Sequence, residues 1–349
     1  MATESFRVAS FNVENLLHPG VYWAGRDDPA YKPDEYQDKL EWSAGLLKYA
    51  QVDLVGFQEL FSEQSIGDLL NRTELNHRYT PDLENGRNIV VGANGRKEAK
   101  GPFCGLASRY PIEEASAILD FPPGSHLSVQ VSDAAPVERI PIAQFQRPVL
   151  RANVKLPHAT ALVFVAHLKS KRPLLLSGES DKDPLAIAAG SARSLIVRAA
   201  EAVALRKLVI EATQGSKTPV LLFGDLNDDL NAVTTQIIAG DEPYFRLKAA
   251  EKRPDWDRLL YSVHDLEMAE SYRDVSYSHI YNGRYELLDH IFVSEEFYAG
   301  NPQRIATVLN TRIFNDHISD ERRRAFDAGR GAARRSDHGV PVTEIVWKI

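Results

Sequence analysis

Val220-Leu221-Leu222-Phe223-Gly224-Asp225-Leu226-Asn227 is a short apolar run closed by glycine, with a carboxylate and a carboxamide two residues apart at its end. A run of this length, branched and aromatic in composition and stopped by Gly-Asp, predicts a buried β-strand. Side chains two apart on a strand share a face. If the extended conformation continues past Gly224, Asp225 and Asn227 present a charge and a neutral hydrogen-bonding group to one spot at the rim of a sheet. An aspartate after a strand is also a common turn former or helix cap, so the pair by itself decides nothing. What gives it weight is that an apolar strand delivering a polar residue recurs along the chain.

Residues 7–11 predict a strand running into Asn12, and residues 53–57 a second one that delivers Glu59. Residues 161–166 end at His167, residues 287–293 surround Asp289, and residues 340–347 follow directly on Ser336-Asp337-His338. Residues 88–92 and 105–108 look like a strand pair, and alternation within 143–156 suggests further strands. Residues 34–50 and 185–213 carry the two clear helical patterns. Residues 231–275 mix short helix with loop, and residues 94–144 form a long, individual connection containing Pro122-Pro123-Gly124. No repeat or linker divides the chain, and polar strand ends lie at both extremes, so the two halves must meet in one site. A single domain over residues 1–349 is the expectation.

With 349 residues and 44% hydrophobic content the chain can bury a large core. Its formal net charge of −7 argues against a surface that coats nucleic acid generally, while leaving room for a local basic groove. Cys104 is the sole cysteine, which excludes an intrachain disulfide and fits a reducing compartment. Its apolar neighbours predict a buried structural thiol. Glu4 and Arg7 interrupt the start where a signal peptide would be apolar, and no run approaches the roughly 20 residues of a membrane span. A soluble, cytoplasmic protein is the expectation.

The residues at the strand ends are Asn12, Glu59, His167, Asp225, Asn227, Asp289, Asp337 and His338. Oxygen ligands from Asn, Glu and Asp suit a hard cation, Mg²⁺ or Mn²⁺. No zinc pattern competes, since there is one cysteine and no His-Glu-x-x-His. A hard cation with carboxylates and two histidines is an apparatus for cleaving phosphate esters. The cation offsets charge and lowers the pKa of water, donors stabilise the developing charge, and a carboxylate orients or deprotonates the attacking water. Each residue alone has a plainer reading: Glu59 as a solvated charge, His167 as the partner of a carbonyl. Ser336-Asp337-His338 is not a catalytic triad, because neighbours on an extended chain face opposite ways.

Taken together and in order, six segments carry a resemblance. They are Ser10-Phe11-Asn12-Val13-Glu14-Asn15, Asp53-Leu54-Val55-Gly56-Phe57-Gln58-Glu59 and Ala166-His167-Leu168-Lys169-Ser170. Gly224-Asp225-Leu226-Asn227, Leu288-Asp289-His290-Ile291 and Ser336-Asp337-His338 complete the set, with a weaker match at residues 105–112. The chain resembles the endonuclease/exonuclease/phosphatase superfamily of DNase I-like and exonuclease III-like phosphoesterases. The resemblance implies a four-layer α/β/β/α sandwich, two packed mixed sheets flanked by helices, with the site at one end. It implies Asn12 and Glu59 at the metal, Glu59 as a direct ligand, and Asp337 as a further ligand, direct or through water. Asp225 would position or deprotonate the water and Asn227 would hold the phosphate or the water. His338, oriented by Asp289, would hydrogen-bond the scissile phosphate, and His167 would contact a non-bridging oxygen from the other side. The implied reaction is in-line attack of water on phosphorus with no covalent intermediate.

Lys169 and Arg147 are candidates to bind substrate phosphate, against a solvated loop charge and a surface ion pair as the plainer readings. The basic run from Arg322 to Arg335 leads into Ser336 and could grip a nucleic-acid backbone or a polyphosphate, or pair with neighbouring acids. Leu287-Leu288-Asp289-His290 departs from the Trp-Cys-Asp-Arg of the inositol-phosphatase branch. No apolar hairpin supports a sphingomyelinase, and the resemblance points to a bacterial, nuclease-like branch. Three functions follow: a metal-dependent nuclease or phosphodiesterase, a phosphomonoesterase for a small or lipid-linked phosphate, and a non-catalytic binding module on the same fold. The last is weakened because every expected polar position is filled.

Overall fold

The computed structural model describes residues 4–23, 31–81, 89–91, 95–99, 101–240, 249–270, 276–281, 284–318 and 335–348. Two six-stranded sheets dominate it. Their strands, in chain order, are β1 (Ser5–Leu16), β2 (Leu54–Leu60), β3 (His77–Tyr79), β4 (Phe103–Ser108), β5 (Ile112–Asp120), β6 (Gln144–Lys155), β7 (Thr160–His167), β8 (Val220–Asp225), β9 (Tyr261–Ser262), β10 (Asp289–Val293), β11 (Ala306–Phe314) and β12 (Val340–Trp347). The first sheet has the order β11-β12-β1-β2-β4-β3 and the second β9-β10-β8-β7-β6-β5.

The period of two along each strand sorts side chains into layers. Phe6 and Val8 of β1 and Leu54 of β2 point inward and meet Val163, Val165, Leu221 and Phe223 of the second sheet in one core. The alternate residues Ala9, Phe11, Val55 and Phe57 face outward, onto α1 (Pro33–Tyr49) and α2 (Glu63–Leu70) through Leu40, Leu47, Ile66 and Leu69. On the other side Leu162, Phe164 and Leu222 face α3 (Pro184–Thr213) and α4 (Val233–Ala239) through Leu205, Val209 and Ile238. Helix, sheet, sheet, helix is the four-layer arrangement expected from the sequence.

Strand direction then decides where the polar residues gather. β1 and β2 run parallel, as do β7 and β8, so Asn12, Glu59, His167 and Asp225 all lie toward the carboxyl ends of parallel pairs. β10 and β12 run antiparallel to β8 and β1 and begin where those strands finish. Asp289 at the start of β10 is thereby the register partner of Asp225, and Asp337-His338 lies just ahead of β12.

Several local expectations differ from the structure. Residues 105–108 do not pair with the strand near 89; Asn88 and Gly92 lie outside the described residues. Instead Ile89–Val91 pairs with Lys97–Ala99, while β4 sits between β2 and β3. All of β4 is buried, and a Cβ on Gly105 would lie 2.5 Å from Leu60 Cδ1, so this strand belongs inside a sheet. The expected long connection of 94–144 contains β5, an edge strand whose many exposed residues erase the apolar signal. Helix α2, unforeseen in the sequence, is short and is capped by Ser62, whose Oγ accepts the Ser65 N–H at 3.1 Å. Cys104 is fully buried, as expected, and burial pushes its thiol up to about 12. Of the basic run only Arg335 is among the described residues. Among those residues, no helix is long and apolar enough to cross a membrane.

The sheets approach closely behind the polar cluster. A Cβ on Gly56 would lie 2.7 Å from the Cβ of Phe223, an atom that cannot swing aside. Gly56→Ala is therefore expected to cost about 1–3 kcal/mol, the usual range for overpacking. The measurement is the urea midpoint at unchanged slope, and a midpoint equal to wild type would show that the sheets part freely there.

Candidate active site

The inward face of each sheet stays apolar until its last residues and then turns polar. On β1 the inward series Phe6, Val8, Ser10 ends in Asn12, fully buried. On β8 the series Leu221, Phe223 ends in Asp225, and on β7 Val163, Val165 ends in His167. Glu59 breaks the alternation. It has φ +63, and the pairing register of β2 shifts between Phe57 and Leu60. Among the described residues, Glu14, Asn15, Glu59 and Asn227 account for four of the six non-glycine residues with positive φ. Such conformations are costly and cluster where a function demands them.

Asn12 stands at the centre. Its Nδ2 donates to Glu59 Oε1 at 3.3 Å and to Asp225 Oδ2 at 3.1 Å, joining carboxylates of opposite sheets. Its Oδ1 accepts the Glu14 N–H at 2.9 Å, and the Asn15 N–H donates to Glu59 Oε2 at 2.9 Å. This left-handed Glu14-Asn15 turn is held from behind by Lys39 of α1, whose buried Nζ donates to the Glu14 carbonyl at 2.6 Å.

Asp225 and Asn227 do meet, though not on a shared strand face. β8 ends at Asp225, and Asn227 has φ +54, so the extended conformation does not persist. The Asn227 N–H donates to Asp225 Oδ1 at 2.9 Å, while its Nδ2 donates to the Leu168 carbonyl at 3.1 Å. His167 Nε2 lies 3.4 Å from Asp225 Oδ2. His338 Nδ1 lies 2.7 Å from Asp289 Oδ2. Ser336 places that histidine, donating to the Asn12 carbonyl at 2.6 Å and accepting the His338 N–H at 2.9 Å.

Burial sets the charges here. It pushes the Asp225 carboxyl up to about 7, with Asp289 and Glu59 adding to the rise and His338 and the Asn227 N–H opposing it. His167 is held well below the ordinary imidazole range by burial and by the positive charge of Arg147 and His338. Burial also works against the His338 cation, but the hydrogen-bonded Asp289 carboxylate, with Asp225 and Asp337, outweighs it and keeps the ring protonated well above the usual range. Among the described residues, Asp289 Oδ1 and His167 Nδ1 are buried without a hydrogen-bond partner.

Among the described residues, two groups of side chains have donor atoms close enough to share an ion: Asp225, Asp289 and His338, and separately His279, Asp337 and His338. The first includes neither Asn12 nor Glu59, and Asp337 falls in the second. Arg147 and Lys169 both flank the site. Arg147 Nη1 donates to the carbonyls of His167 and Leu168 at 3.5 and 3.1 Å. Lys169 Nζ donates within its own loop, to the carbonyls of Ser170 and Arg172 at 2.9 and 3.0 Å, and burial lowers its pKa to about 8.

Several supporting residues had no signal in the sequence. Glu201 of α3 is fully buried and accepts the N–H groups of Gln146 and Lys169 at 2.8 and 2.7 Å, tying β6 to the loop after His167. Ser278 Oγ accepts the N–H groups of Leu288 and Asp289 at 2.9 and 3.1 Å. His317 places Nε2 2.8 Å from the His338 carbonyl. Each looks like an ordinary polar residue until the fold brings its partner.

A family model described as the Endonuclease/Exonuclease/phosphatase family matches residues 9–338. The chain belongs to that family. Its members are hydrolases that act on phosphate esters and typically use divalent metals. No curated protein matches the chain. Among solved structures, humanized D. rerio TDP2 carrying 14 mutations is similar over 98% of this chain and 98% of its own, with 15% identity and a TM-score of 0.54. An endonuclease/exonuclease/phosphatase from Bacteroides vulgatus is similar over 99% and 100%, with 14% identity and a TM-score of 0.52. The human nocturnin catalytic domain, with sulfate bound, is similar over 99% and 95%, with 16% identity and a TM-score of 0.50. At these identities the likeness establishes the fold.

The Asp289–His338 pair has a measurable consequence. In EDTA the His338 ring is expected to remain protonated through neutral pH, and Asp289→Asn to lower its titration, as followed by NMR of the ring protons. The raised pKa means the pair's contribution to stability is complete below the ordinary imidazole pKa and fades as pH rises through the elevated one. An unchanged His338 titration in Asp289→Asn would refute this assignment of cause.

Proposed function

We propose that this family member is a divalent-cation-dependent phosphodiesterase in which water attacks phosphorus in line, with nucleic acid as the first substrate class. One arrangement carries the reading. The Asn12 amide joins Glu59 of one sheet to Asp225 of the other, beside the braced Asp289–His338 pair.

The residues present fit a hard cation. Glu59, Asp225 and Asp337 offer carboxylate oxygens, and the Asn12 amide draws the first two together at the buried ends of both sheets. Asp289 Oδ1, buried with no hydrogen-bond partner among the described residues, points the same way. Mg²⁺ or Mn²⁺ would be held directly by Glu59, with Asn12 alongside and Asp337 as a further ligand. When bound, the ion supplies charge compensation at a phosphoryl oxygen and a lower pKa for water.

The chain's own groups would do the rest. Asp225, with a pKa of about 7 before any cation is bound, is suited to orient water and accept its proton near neutrality. Asn227 pins that carboxylate through its N–H and holds the water or the phosphate. His338 spends Nδ1 on Asp289, which leaves Nε2–H to donate to a non-bridging oxygen as charge develops. His167, kept neutral, faces the same phosphate from the second sheet. Arg147 and Lys169 hold the His167 loop and keep positive charge beside the phosphate.

A phosphomonoester substrate is the second reading, favoured by the net charge of −7, which does not favour a long polyanion. One experiment separates the two. Metal-stripped protein is offered DNA, RNA and a panel of phosphomonoesters side by side, with Mg²⁺ or Mn²⁺ restored. Cleavage of nucleic acid that requires the ion is expected, and Asp225→Asn and His338→Ala should each lower kcat by about 10²–10⁴. Release of inorganic phosphate without nucleic-acid cleavage selects the second reading. Full activity in EDTA, or in Asp225→Asn, would sink both.

A further inference from the structure

His279 has no part in the scheme above, yet it is built into the same corner. It opens the short strand His279–Tyr281, which pairs with Arg284–Glu286, and it is 9% exposed. Its ring lies against that of His338, with centroids 4.6 Å apart and planes tilted by 32°. Its Nδ1 is 3.2 Å from the Asp337 carbonyl oxygen. The residue before it is anchored as well, since the Ser278 carbonyl accepts the Gly339 N–H at 2.6 Å. The imidazole is therefore held in place by backbone on both sides of the Asp337-His338 segment.

Stacking alone does not call for histidine, because any aromatic ring would stack. What histidine adds is a nitrogen donor. One ligand atom each from His279, Asp337 and His338 lies within 4.8 Å of the others. Ligands about 2.0–2.2 Å from a tetrahedral ion sit roughly 3.5 Å apart, so small side-chain rotations close the set around one ion. Both imidazoles have the outer support that metal-bound histidines use: a carboxylate, Asp289, on His338 and a backbone carbonyl on His279. Two imidazoles and one carboxylate suit Zn²⁺ or Co²⁺, whereas Mg²⁺ prefers oxygen throughout.

We propose that His279, Asp337 and His338 form a second cation position at the rim of the active site, one that takes a nitrogen-preferring transition ion such as Zn²⁺ or Co²⁺ rather than Mg²⁺. Filling it displaces the proton from His338 Nε2 to solvent and engages the shared Asp337, so these ions inhibit hydrolysis. That consequence rests on the phosphoesterase reading; the position itself rests only on the donor set.

The test reads the ion rather than turnover. Co²⁺ is titrated into metal-stripped protein in excess Mg²⁺ and followed by visible absorption and by X-ray absorption at the cobalt edge. The expected result is a ligand-field band of low-coordinate cobalt with two imidazole ligands. His279→Gln should weaken Co²⁺ binding roughly tenfold or more, with the Mg²⁺ affinity and the unfolding midpoint unchanged. Equal Co²⁺ affinity and spectrum in His279→Gln and wild type, or all-oxygen octahedral cobalt in wild type, overturns the proposal. If His279→Gln folds poorly, the cobalt-edge spectrum of the wild type decides alone: two imidazoles support the site and fewer overturn it. A failed phosphoesterase reading would look different, with the cobalt site intact and no Mg²⁺-dependent hydrolysis.

Discussion

Two sheets meet without a spacer at Gly56 and Phe223, and the site depends on that approach. Only a residue without a Cβ fits opposite Phe223. Because the sheets close there, the ends of β1 and β8 come near enough for one amide, Asn12 Nδ2, to reach carboxylates on both. The same packing that builds the core therefore brings together the anionic groups, and their burial is what raises the Asp225 pKa.

Strain and charge are concentrated at this end of the sandwich. Left-handed Glu14, Asn15, Glu59 and Asn227 re-aim side chains or backbone N–H groups toward the centre. Each unfavourable conformation is accompanied by a hydrogen bond to a carboxylate or amide of the site, and Lys39 and Ser336 brace the surrounding backbone. Where the sheets are regular, their inner faces are apolar; where the strands end or bulge, the inner face becomes polar. The site is in this sense a polar cap on the hydrophobic core.

The histidines show how environment divides one residue type into different states. His167 is buried beside cations and stays neutral, while His338 is buried against Asp289 and stays charged. Of their neighbours in the sequence, Asp337 adds to the His338 shift, but behind Asp289 and Asp225. Asp289 comes from a strand 49 residues away and Arg147 from a different strand of the sheet.

Much of this was legible in the chain itself. Apolar runs ending in Asn12, Glu59, His167 and Asp225, and one around Asp289, announce buried strands that carry polar residues, because period-two burial and strand termination are local properties of a peptide. Residues 340–347 were readable for the same reason, as was α3 from its helical period. Edge strand β5 and the short helix α2 were not, since an exposed edge carries little apolar pattern and a helix of eight residues little periodicity. The sequence by itself determined which residues end the strands and the family to which their order belongs. Only the tertiary structure decided that Asn12 bridges two carboxylates, that Asn227 turns left-handed instead of extending, and that Glu201, Ser278 and His279 stand behind or beside the site. Those facts depend on the distance between two sheets and on contacts between residues far apart in the chain, and no local pattern encodes either.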